Sequence, residues 1–401
     1  MTGRWKYRSF EDAVQAVIAH SRTVTASEHV PIDCSFGRVV AETVRGKRDI
    51  PPWDRSTVDG YALRSLDTER RRTVTMNVVG HVSAGRFFRG SIGRDECTGI
   101  ATGAPLPQGS DASVMFEHVE EHDGGSRISL SFGVKSGENV SRRGADISRG
   151  DVIAERGRTV NTGMIGALAS QGMQRIRVLK KPVIAVIPGG DEVVPLGRNA
   201  GKGQIFDVNS HTIASVVERE GGHAVIAARV KDERHDVRKA LVSAVKYDAC
   251  VFASGSSAGR RDFVAGVIEQ EGRLLFHGVR VRPGRPTMFG VVGKKPVFGL
   301  AGHPVSSFLG AYYFLGPAVR RMAGIPPAAP RTVQASFSGE SGAESEVLRL
   351  LPVYVGDGEC RSVFKESGAI TSISRANGIV RQPPGMHIRH GDTVNVELIE
   401  V

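Results

Sequence analysis

The sequence has few of the features that mark secreted, membrane or zinc-stapled proteins. Its 401 residues include only four cysteines, Cys34, Cys97, Cys250 and Cys360, and no two of them form a CxxC pair. This spacing argues against a disulfide framework or a zinc knuckle and fits a reducing compartment. No apolar run reaches the ~18 residues of a membrane span, and the first residues, MTGRWKYRSFEDAV, lack the apolar stretch of a signal peptide. We therefore expect a cytoplasmic protein that does not associate with membranes.

Aromatic residues are also scarce, at 6% of the chain, whereas the formal net charge is +11. A nucleic-acid binder would cluster its Lys and Arg residues and interleave them with aromatic side chains. Here the basic residues come in short, scattered pieces: Arg70–Arg72, Lys180–Lys181, Arg260–Arg261 and Lys294–Lys295. The charge therefore disfavours nucleic acid as a partner and favours a small anionic substrate. A merely solvated basic surface is the remaining alternative.

The chain is long enough for several folded domains. Hydrophobic residues make up 40% and charged residues 24%, a composition that can bury a core. At ~100–200 residues per domain, the length suggests about two to four domains. We expect a discontinuous helical connecting domain (1–24 and 145–179), a β-rich insertion domain (25–144), an α/β domain (180–326) and a small C-terminal β-barrel or sandwich (327–401).

Strands and helices alternate between residues 181 and 324. The predicted strands are Val183–Ile187, Ala224–Val230, Ala249–Ala253 and Leu274–Val281. The predicted helices are Thr212–Glu220, Asp236–Lys246, Phe263–Glu271 and Ser306–Met322. This alternation predicts right-handed crossovers and a Rossmann-like, mostly parallel sheet within a multidomain α/β protein. Ligands of such sheets bind beyond the carboxyl ends of the strands.

Two loops that directly follow predicted strands carry polar and glycine residues. One is Pro188–Glu192, and the other is Ser254–Asp262, which leads into a helix. Backbone N–H groups at a helix N-terminus favour an anion, so Ser256 and Ser257 could cradle a phosphate. Asp262 could cap the helix or bind a metal that bridges to the ligand. Neither loop is a Walker A sequence or a GxGxxG fingerprint, so a nucleoside triphosphate or dinucleotide ligand is disfavoured.

Two further turns follow strands or precede the last helix of this region. Arg282 and Arg285 flank the tight turn RPGRP, and two guanidinium groups so placed suit phosphate or carboxylate oxygens. His303 lies in LAGHP, where it either contacts a ligand or, as such histidines more often do, bonds to a backbone carbonyl.

The β-rich region contains three candidate loops. Asp59 in PPWDRSTVDGYA either presents a carboxylate at the tip of a turn or belongs to an ordinary Asp-Gly turn. Thr102 in ATGAPLPQGSD can hydrogen-bond an oxyanion. Arg142 and Arg143 lie close in sequence to Asp146 in GENVSRRGADI, which is either a site or a solvated loop. The pattern HVEEH at 118–122 matches HxxEH, but its strand-and-turn context disfavours the helical zinc site that this pattern needs.

Taken in order, these segments resemble the molybdopterin molybdenumtransferase family, which includes the C-terminal domain of gephyrin. They are PPWDRSTVDGYAL, ATGAPLPQGSDA, GENVSRRGADI, GGDEVV, GQIFDVNS, SGSSAGRRD, RPGRP and LAGHP, and they span nearly the whole chain. The resemblance implies an elongated homodimer of four-domain subunits. Each active cleft would be formed by the sheet domain of one subunit and the β-rich domain of the other. The implied reaction inserts molybdate into the dithiolene of adenylated molybdopterin, with release of AMP and involvement of Mg²⁺.

The resemblance also implies roles for individual residues. The catalytic residues it implies are Asp59, Thr102, Asp146, Glu192 and Asp262, of which Asp59, Glu192 and Asp262 would bind the metal. It also matches Arg282 and Arg285 to basic positions of the family. The residues that we expect to bind the pterin substrate are these two arginines together with Gly255, Ser256, Ser257, Gly259 and His303 of the neighbouring loops. A divalent ion would offset repulsion between clustered carboxylates and the substrate's phosphates. The further partners implied are a molybdopterin adenylyltransferase and recipient molybdoenzymes.

The chain departs from the family pattern in four loops. The family usually has Thr-Gly-Asp-Glu at Gly189–Glu192, Gly-Gly-Val-Ser at Ser254–Ser257, Leu-Pro-Gly-Asn-Pro at Leu300–Pro304 and Met-Asp-Gly at Val58–Gly60. The carboxylates are kept, which favours catalysis. The altered loops favour a second hypothesis, a catalytically altered molybdopterin-binding or carrier protein that serves a specific molybdoenzyme. A third, the related adenylyltransferase activity, is disfavoured by the extra domains at both ends.

Overall fold

The computed structural model describes residues 6–69, 72–253, 263–344 and 346–399. The chain forms two compact units. The first unit comprises Met1–His29, Gly37–Ala41 and Arg177–Val401, and the second comprises Val30–Phe36 and Glu42–Ile176. The second unit is therefore an insertion in the sequence of the first. The four domains expected from the sequence divide the chain more finely, and their bounds stay a prediction.

The described residues form eight α-helices. They are α1 (Phe10–His20), α2 (Thr162–Ser170), α3 (Asn209–Arg219), α4 (Arg234–Ala244), α5 (Phe263–Glu271), α6 (Pro304–Gly310), α7 (Gly316–Met322) and α8 (Thr371–Ser374). A π-helical turn, Ala311–Leu315, joins α6 to α7. Among these helices, none has the length and apolar character needed to cross a membrane.

Helix α1 is amphipathic and packs within the first unit. The Ser9 hydroxyl caps its first turn, and Phe10, Ala13 and Val17 form a buried stripe at helical spacing. The Phe10 ring lies 5.3 Å from that of Tyr313, centroid to centroid. The sequence suggested that this helix would pack with the segment 145–178. Instead it clusters with the α/β region, because its buried stripe faces α7 and the π-helical turn.

The second unit is built around a six-stranded sheet. The strands of this half of the chain are β1 (Ser27–Pro31), β2 (Val44–Arg45), β3 (Arg55–Ser56), β4 (Gly60–Leu63), β5 (Val74–Val82), β6 (Glu96–Ile100), β7 (Ala112–Met115), β8 (Glu120–His122), β9 (Arg127–Leu130), β10 (Val140–Ser141), β11 (Val152–Ala154) and β12 (Arg175–Leu179). The sheet order is β7-β4-β6-β5-β9-β8, and the remaining strands form short pairs β1–β12, β2–β11 and β3–β10. A turn at Asp123–Gly125 joins β8 to β9 as a hairpin.

The HVEEH segment has the strand-and-turn structure that its context predicted. His118 ends a 3₁₀ turn and His122 ends β8, so the two rings do not share a helix face. The preceding strand, β7, ends at Met115, and this 3₁₀ turn follows it directly.

A six-stranded mixed sheet forms the centre of the first unit. Strands in this region are β13 (Val183–Ile187), β14 (Val193–Val194), β15 (Ile205–Phe206), β16 (His223–Ile226), β17 (Ala249–Phe252), β18 (Arg273–His277), β19 (Val281–Arg282), β20 (Met288–Val292) and β21 (Lys295–Gly299). The sheet order is β16-β13-β17-β21-β20-β18, in which the first four strands are parallel, β20 is antiparallel to its neighbours, and β18 again runs in the direction of the first four. β17 is buried throughout because helices cover both faces of the sheet.

One predicted strand of this region is two strands in the structure. The run Leu274–Val281 was expected to be continuous. Gly278 interrupts it with a φ of +104°, a left-handed conformation that glycine adopts readily. β18 therefore ends at His277, and β19 starts at Val281 and pairs with a strand of the C-terminal region.

The C-terminal region is a closed barrel of five strands. They are β22 (Thr332–Ser338), β23 (Leu348–Gly356), β24 (Glu359–Ser362), β25 (Gly378–Gln382) and β26 (Thr393–Leu398). β23 pairs with both β24 and β25, which closes the ring β23-β24-β22-β26-β25. Alternate residues such as Leu351, Val353 and Val396 fill its interior. The expected small barrel is thereby confirmed over the alternative of a sandwich.

Candidate functional site

The carboxylate of Asp59 is fixed by Thr102. Asp59 directly precedes β4, Thr102 lies two residues after β6, and Gly60 pairs with Ile100 in this antiparallel ladder, so the two side chains meet at one edge. Thr102 donates to both carboxylate oxygens, from its backbone N at 2.9 Å and from Oγ1 at 2.9 Å. The backbone hydrogen bond first, and the hydroxyl second, hold the pKa of Asp59 below its ordinary value of 3.8. Asp59 is therefore an exposed, oriented and ionised carboxylate.

Gly60 permits this arrangement. A Cβ atom at this position would lie 1.9 Å from the carbonyl oxygen of Val114 in β7. Only glycine lets β7 approach β4 this closely. Gly60 is thus required for the packing of the sheet, and the turn that it forms with Asp59 carries the carboxylate.

The loop that carries Asp146 is fastened by its two arginines. Arg142 Nη1 donates to Asp54 Oδ2 at 2.7 Å, and Arg143 donates from its backbone N to Asp54 Oδ1 and from Nε to Asp49 Oδ2. The backbone N–H of Arg143 is the main cause that lowers the pKa of Asp54. Neither Asp49 nor Asp54 was identified from the sequence. Asp146 itself is exposed, and the described residues offer its carboxylate no hydrogen bond and no link to Asp59.

In the first unit, three candidate loops leave the same edge of the sheet. β13, β17 and β21 are parallel neighbours, so their carboxyl ends lie side by side. The loops Pro188–Glu192, Ser254–Asp262 and Leu300–Pro304 follow these strands in turn. The predicted site residues of the middle loop, namely Gly255, Ser256, Ser257, Gly259 and Asp262, lie outside the described residues.

The loop of Glu192 is held by a residue that the sequence did not indicate. Arg229 Nη1 donates to the carbonyl oxygen of Gly190 at 2.8 Å and lies 3.7 Å from the Asp191 carboxylate. Glu192 folds back over Gly190, where an added Cβ would lie 3.0 Å from both carboxylate oxygens. Gly190 also has a φ of +109°, a conformation that glycine adopts far more readily than other residues.

Asn209 links the end of β17 to the loop that follows β21. Its Nδ2 donates to the carbonyl oxygen of Gly302 at 2.7 Å and to that of Ala253 at 3.3 Å. Its Oδ1 is buried without a hydrogen-bond partner among the described residues. Asn209 belongs to the segment GQIFDVNS, which carried the family resemblance, but neither spacing nor periodicity assigned it a role.

A cleft of about 440 Å³ brings together three predicted substrate-binding residues. Arg282, Arg285 and His303 line it, together with Ser306 at the start of α6 and Glu344 from the barrel. Arg285 stacks on the ring of Tyr7, with 5.0 Å from Cζ to the ring centroid. His303 occupies the N-cap position of α6, and its side chain makes no capping hydrogen bond. The sequence grouped the two arginines, but it could not place the histidine beside them.

These features define an α/β protein with a mostly parallel sheet, an inserted β-rich unit and a closed C-terminal barrel. Its exposed carboxylates and a two-arginine cleft suit a phosphorylated or oxyanionic ligand.

Comparison with known proteins identifies the family. Three family models match: MoeA N-terminal region (domain I and II) at residues 8–172, probable molybdopterin binding domain at 185–321, and MoeA C-terminal region (domain IV) at 343–399. A molybdopterin molybdenumtransferase of Staphylococcus aureus is 30% identical over 97% of this chain and 95% of its own length. One from Staphylococcus epidermidis is 29% identical over 93% and 91%. The chain belongs to the molybdopterin molybdenumtransferase family.

A solved structure agrees with the family and with the fold. The molybdopterin biosynthesis MoeA protein of Pyrococcus horikoshii is 31% identical and has a TM-score of 0.85, covering 99% of this chain and 100% of that one. The resemblance drawn from the motifs and the predicted multidomain α/β fold are thus confirmed. The roles of individual site residues stay predictions.

Proposed function

We propose that this chain inserts molybdate into adenylated molybdopterin and releases AMP, as an enzyme of molybdenum cofactor biosynthesis. Family membership over nearly the whole chain supports a role in molybdenum insertion. The observation that carries the proposal for the site is the cleft that gathers Arg282, Arg285 and His303 beside the first turn of α6. Two guanidinium groups in one cleft bind oxyanions and phosphates by charge-assisted hydrogen bonds.

The arginines and the carboxylates would have different roles in the reaction. Arg282 and Arg285 would hold the oxyanion, since they are permanently charged and suit oxygen acceptors. Asp59 would act as an oriented anion, because two hydrogen bonds from Thr102 fix its carboxylate and keep it ionised. An ionised carboxylate repels an anionic substrate unless a cation lies between them. A cation is therefore part of the proposal.

We propose Mg²⁺ as that cation, with Asp59, Glu192 and Asp262 as its ligands. Within the described residues no three His, Cys, Asp or Glu side chains form a group that could hold a metal by itself. Mg²⁺ takes oxygen ligands from carboxylates, substrate phosphates and water. Asp59 fits as a metal ligand because its side chain is exposed and, among the described residues, each of its carboxylate oxygens accepts one hydrogen bond. When bound, the ion would offset the phosphate charge and polarise a phosphoryl oxygen.

The direct test is the reaction itself. Purified protein is incubated with adenylated molybdopterin, Mg²⁺ and molybdate, and AMP and metal-bound pterin are measured. Release of AMP with formation of metal-bound pterin supports the proposal. A carrier role is the second candidate, and one observation favours it: Ala301 and His303 line the cleft where the family pattern has Pro and Asn. Tight pterin binding without AMP release would establish the carrier role and reject the reaction.

We further propose that the protein acts as a homodimer with two active sites. Each active site would take Asp59 from one subunit and Glu192 from the other. The support is that these two carboxylates lie in different units of the chain. Asp59→Ala and Glu192→Ala homodimers should both be inactive. A heterodimer of the two variants would have one cleft with both lesions and one with neither, by two-fold symmetry.

Differently tagged heterodimers are purified after co-expression, and AMP release is compared with the wild type. We expect up to about half of wild-type activity, because one of the two symmetry-related clefts is intact. Background activity from a confirmed heterodimer would reject the shared cleft. The matched control is a heterodimer of Asp59→Ala with Asp146→Ala, which places both lesions in the same unit of the chain and should therefore stay inactive.

The cellular setting follows from the same proposal. All four cysteines are free thiols, and Cys97, Cys250 and Cys360 are buried. We therefore place the protein in the cytoplasm, where thiols stay reduced. It would receive its substrate from a molybdopterin adenylyltransferase and deliver its product to a molybdoenzyme.

A further inference from the structure

The two-arginine cleft already contains a carboxylate of the chain itself. Glu344 Oε1 accepts a hydrogen bond from Arg282 Nη1 at 3.0 Å. The Glu344 side chain is 31% exposed and that of Arg282 is 67% exposed. Both line the cleft, so the guanidinium group that would receive an oxyanion is engaged by an internal anion.

The barrel holds Glu344 in this position. The backbone of Ser341 exchanges two hydrogen bonds with Ile388, at 2.8 and 3.0 Å, and Gly385 N donates to the carbonyl oxygen of Glu344 at 2.8 Å. Gln382, which is buried, donates from Nε2 to the carbonyl oxygens of Ser341 and Gly342, at 3.1 Å each. The segment 341–344 is therefore anchored to β25 and to the loop that follows it, and the Glu344 carboxylate is presented to the cleft.

Glu344 and an incoming oxyanion must compete for Arg282. An ion pair this exposed is weak, because water solvates both partners, so a ligand can replace it. When a singly charged anion replaces the Glu344 carboxylate at Arg282, the net gain in binding free energy is small. A doubly charged oxyanion gains more, because Arg285 lines the same cleft and can neutralise the second charge.

We infer that Glu344 is a specificity-determining residue of this cleft, an internal competitor that lowers the affinity for all anions, and for singly charged ones more than for divalent oxyanions. This inference rests on the proposed role of the cleft in oxyanion binding. It adds a residue that no motif of the sequence indicated. If Glu344 served only to brace the barrel, its neutralisation would leave anion binding unchanged.

The test neutralises the carboxylate while keeping its size. The full-length protein and the variant Glu344→Gln are titrated calorimetrically with molybdate alone and with nitrate alone, at low ionic strength. Glu344→Gln should bind molybdate about 2- to 5-fold more tightly, the range expected when one exposed competing charge is removed. The affinity for nitrate should become measurable or rise by a larger factor than that for molybdate, so the preference for the divalent ion narrows.

Two variants serve as controls. Glu359→Gln removes the same charge from an exposed position on β24 that does not line the cleft, and it should bind both anions as the wild type does. In Arg282→Ala/Glu344→Gln the gain should disappear, because the competition acts through Arg282. Equal affinities for Glu344→Gln and Glu359→Gln would overturn the inference, as would a gain that survives in the double variant.

The titrations also separate this inference from the proposed function of the cleft. If the wild type binds molybdate, Arg282→Ala weakens that binding and Glu344→Gln has no effect, then only the role of Glu344 is rejected. If neither the wild type nor any variant binds molybdate, both are rejected. Binding by Glu344→Gln where the wild type shows none would support the competition directly.

Discussion

A stacked arginine in the first unit offers a quantitative test of how the α/β region and the barrel are joined. Arg381 on β25 lies over the rings of both Phe10 and Tyr313, with 4.9 and 5.0 Å from its Cζ to the two centroids. Its Nε lies 2.6 Å from Glu397 Oε1, and the Tyr313 hydroxyl donates to Glu397 Oε2 at 2.8 Å. Burial, followed by the nearby Glu397 charge, raises the pKa of Tyr313, so this hydroxyl stays protonated and donating.

The substitution Arg381→Ala should destabilise this junction by about 3 kcal/mol. Removing one partner of a fully buried ion pair costs about 3–5 kcal/mol, because the other charge is left without compensation. The Arg381 side chain is 36% exposed and that of Glu397 is 11% exposed, so water reaches the pair. Loss of this ion pair should therefore cost about 2 kcal/mol. The two lost cation–π contacts add roughly 0.5 kcal/mol each.

Hydrogen exchange measured by mass spectrometry can report this loss locally, which matters because a chain of several domains does not unfold in one step. Amides of α1 should exchange roughly a hundredfold faster in Arg381→Ala, since each 1.4 kcal/mol corresponds to a factor of ten. Amides of β4 and β6, in the other unit, should be unaffected. Adding Glu397→Gln to Arg381→Ala should recover about 1–2 kcal/mol, because the unpaired charge is then neutralised. Unchanged exchange in α1, or no recovery in the double variant, would refute the reasoning.

Three further predictions concern single side chains. Thr102→Val should raise the pKa of Asp59 toward 3.8 without reaching it, because the backbone hydrogen bond remains. A carboxyl NMR titration measures this, with Thr102→Ser as the control. Since the folded pKa lies below the ordinary value, the hydrogen bonds stabilise the fold above pH 3.8, and that stabilisation is lost as the pH falls through the folded pKa. Gly60→Ala should destabilise the second unit by ~3 kcal/mol through its clash with Val114, whereas Gly166→Ala, where an added Cβ meets nothing within 4 Å, should be neutral or stabilising in thermal unfolding. Burial raises the pKa of Cys97 and Cys250 to about 12. At pH 8, iodoacetamide should therefore label the exposed Cys34 and leave both buried thiols unlabelled in the native protein. Labelling of either buried thiol as fast as Cys34 would contradict this.

The sequence was most informative where burial is complete on both sides of a strand. Val183–Ile187 was predicted with the bounds that β13 has, because a strand covered by helices on both faces is a continuous apolar run. The prediction was wrong at Leu274–Val281, where Gly278 turns the chain out of the sheet. A single glycine inside an apolar run does not reveal whether the strand continues in the same sheet or passes to another.

The site was predictable only in part, because its contacts join residues that are distant in sequence. Asp59 and Thr102 are 43 residues apart, and both were identified through the family resemblance, yet only the β4–β6 register brings them together. Arg282 and Glu344 are 62 residues apart. The segment SGAESEV around Glu344 has the composition of a solvated loop, and its carboxylate enters the cleft only because the barrel closes beside β19.

The position of helix α1 has a consequence for how the protein is made. Its buried residues Phe10, Ala13 and Val17 pack on helices and a barrel strand that lie near the other end of the chain. During synthesis, which adds ~5–20 residues per second, the helix leaves the ribosome roughly 15–60 s before those partners are available. The inserted unit is completed in the interval, and the apolar stripe of α1 stays exposed until translation nears its end. Slow or prematurely terminated translation would therefore leave a nascent chain in which one unit is folded and the apolar stripe of α1 is exposed. Such a chain is a substrate for chaperones.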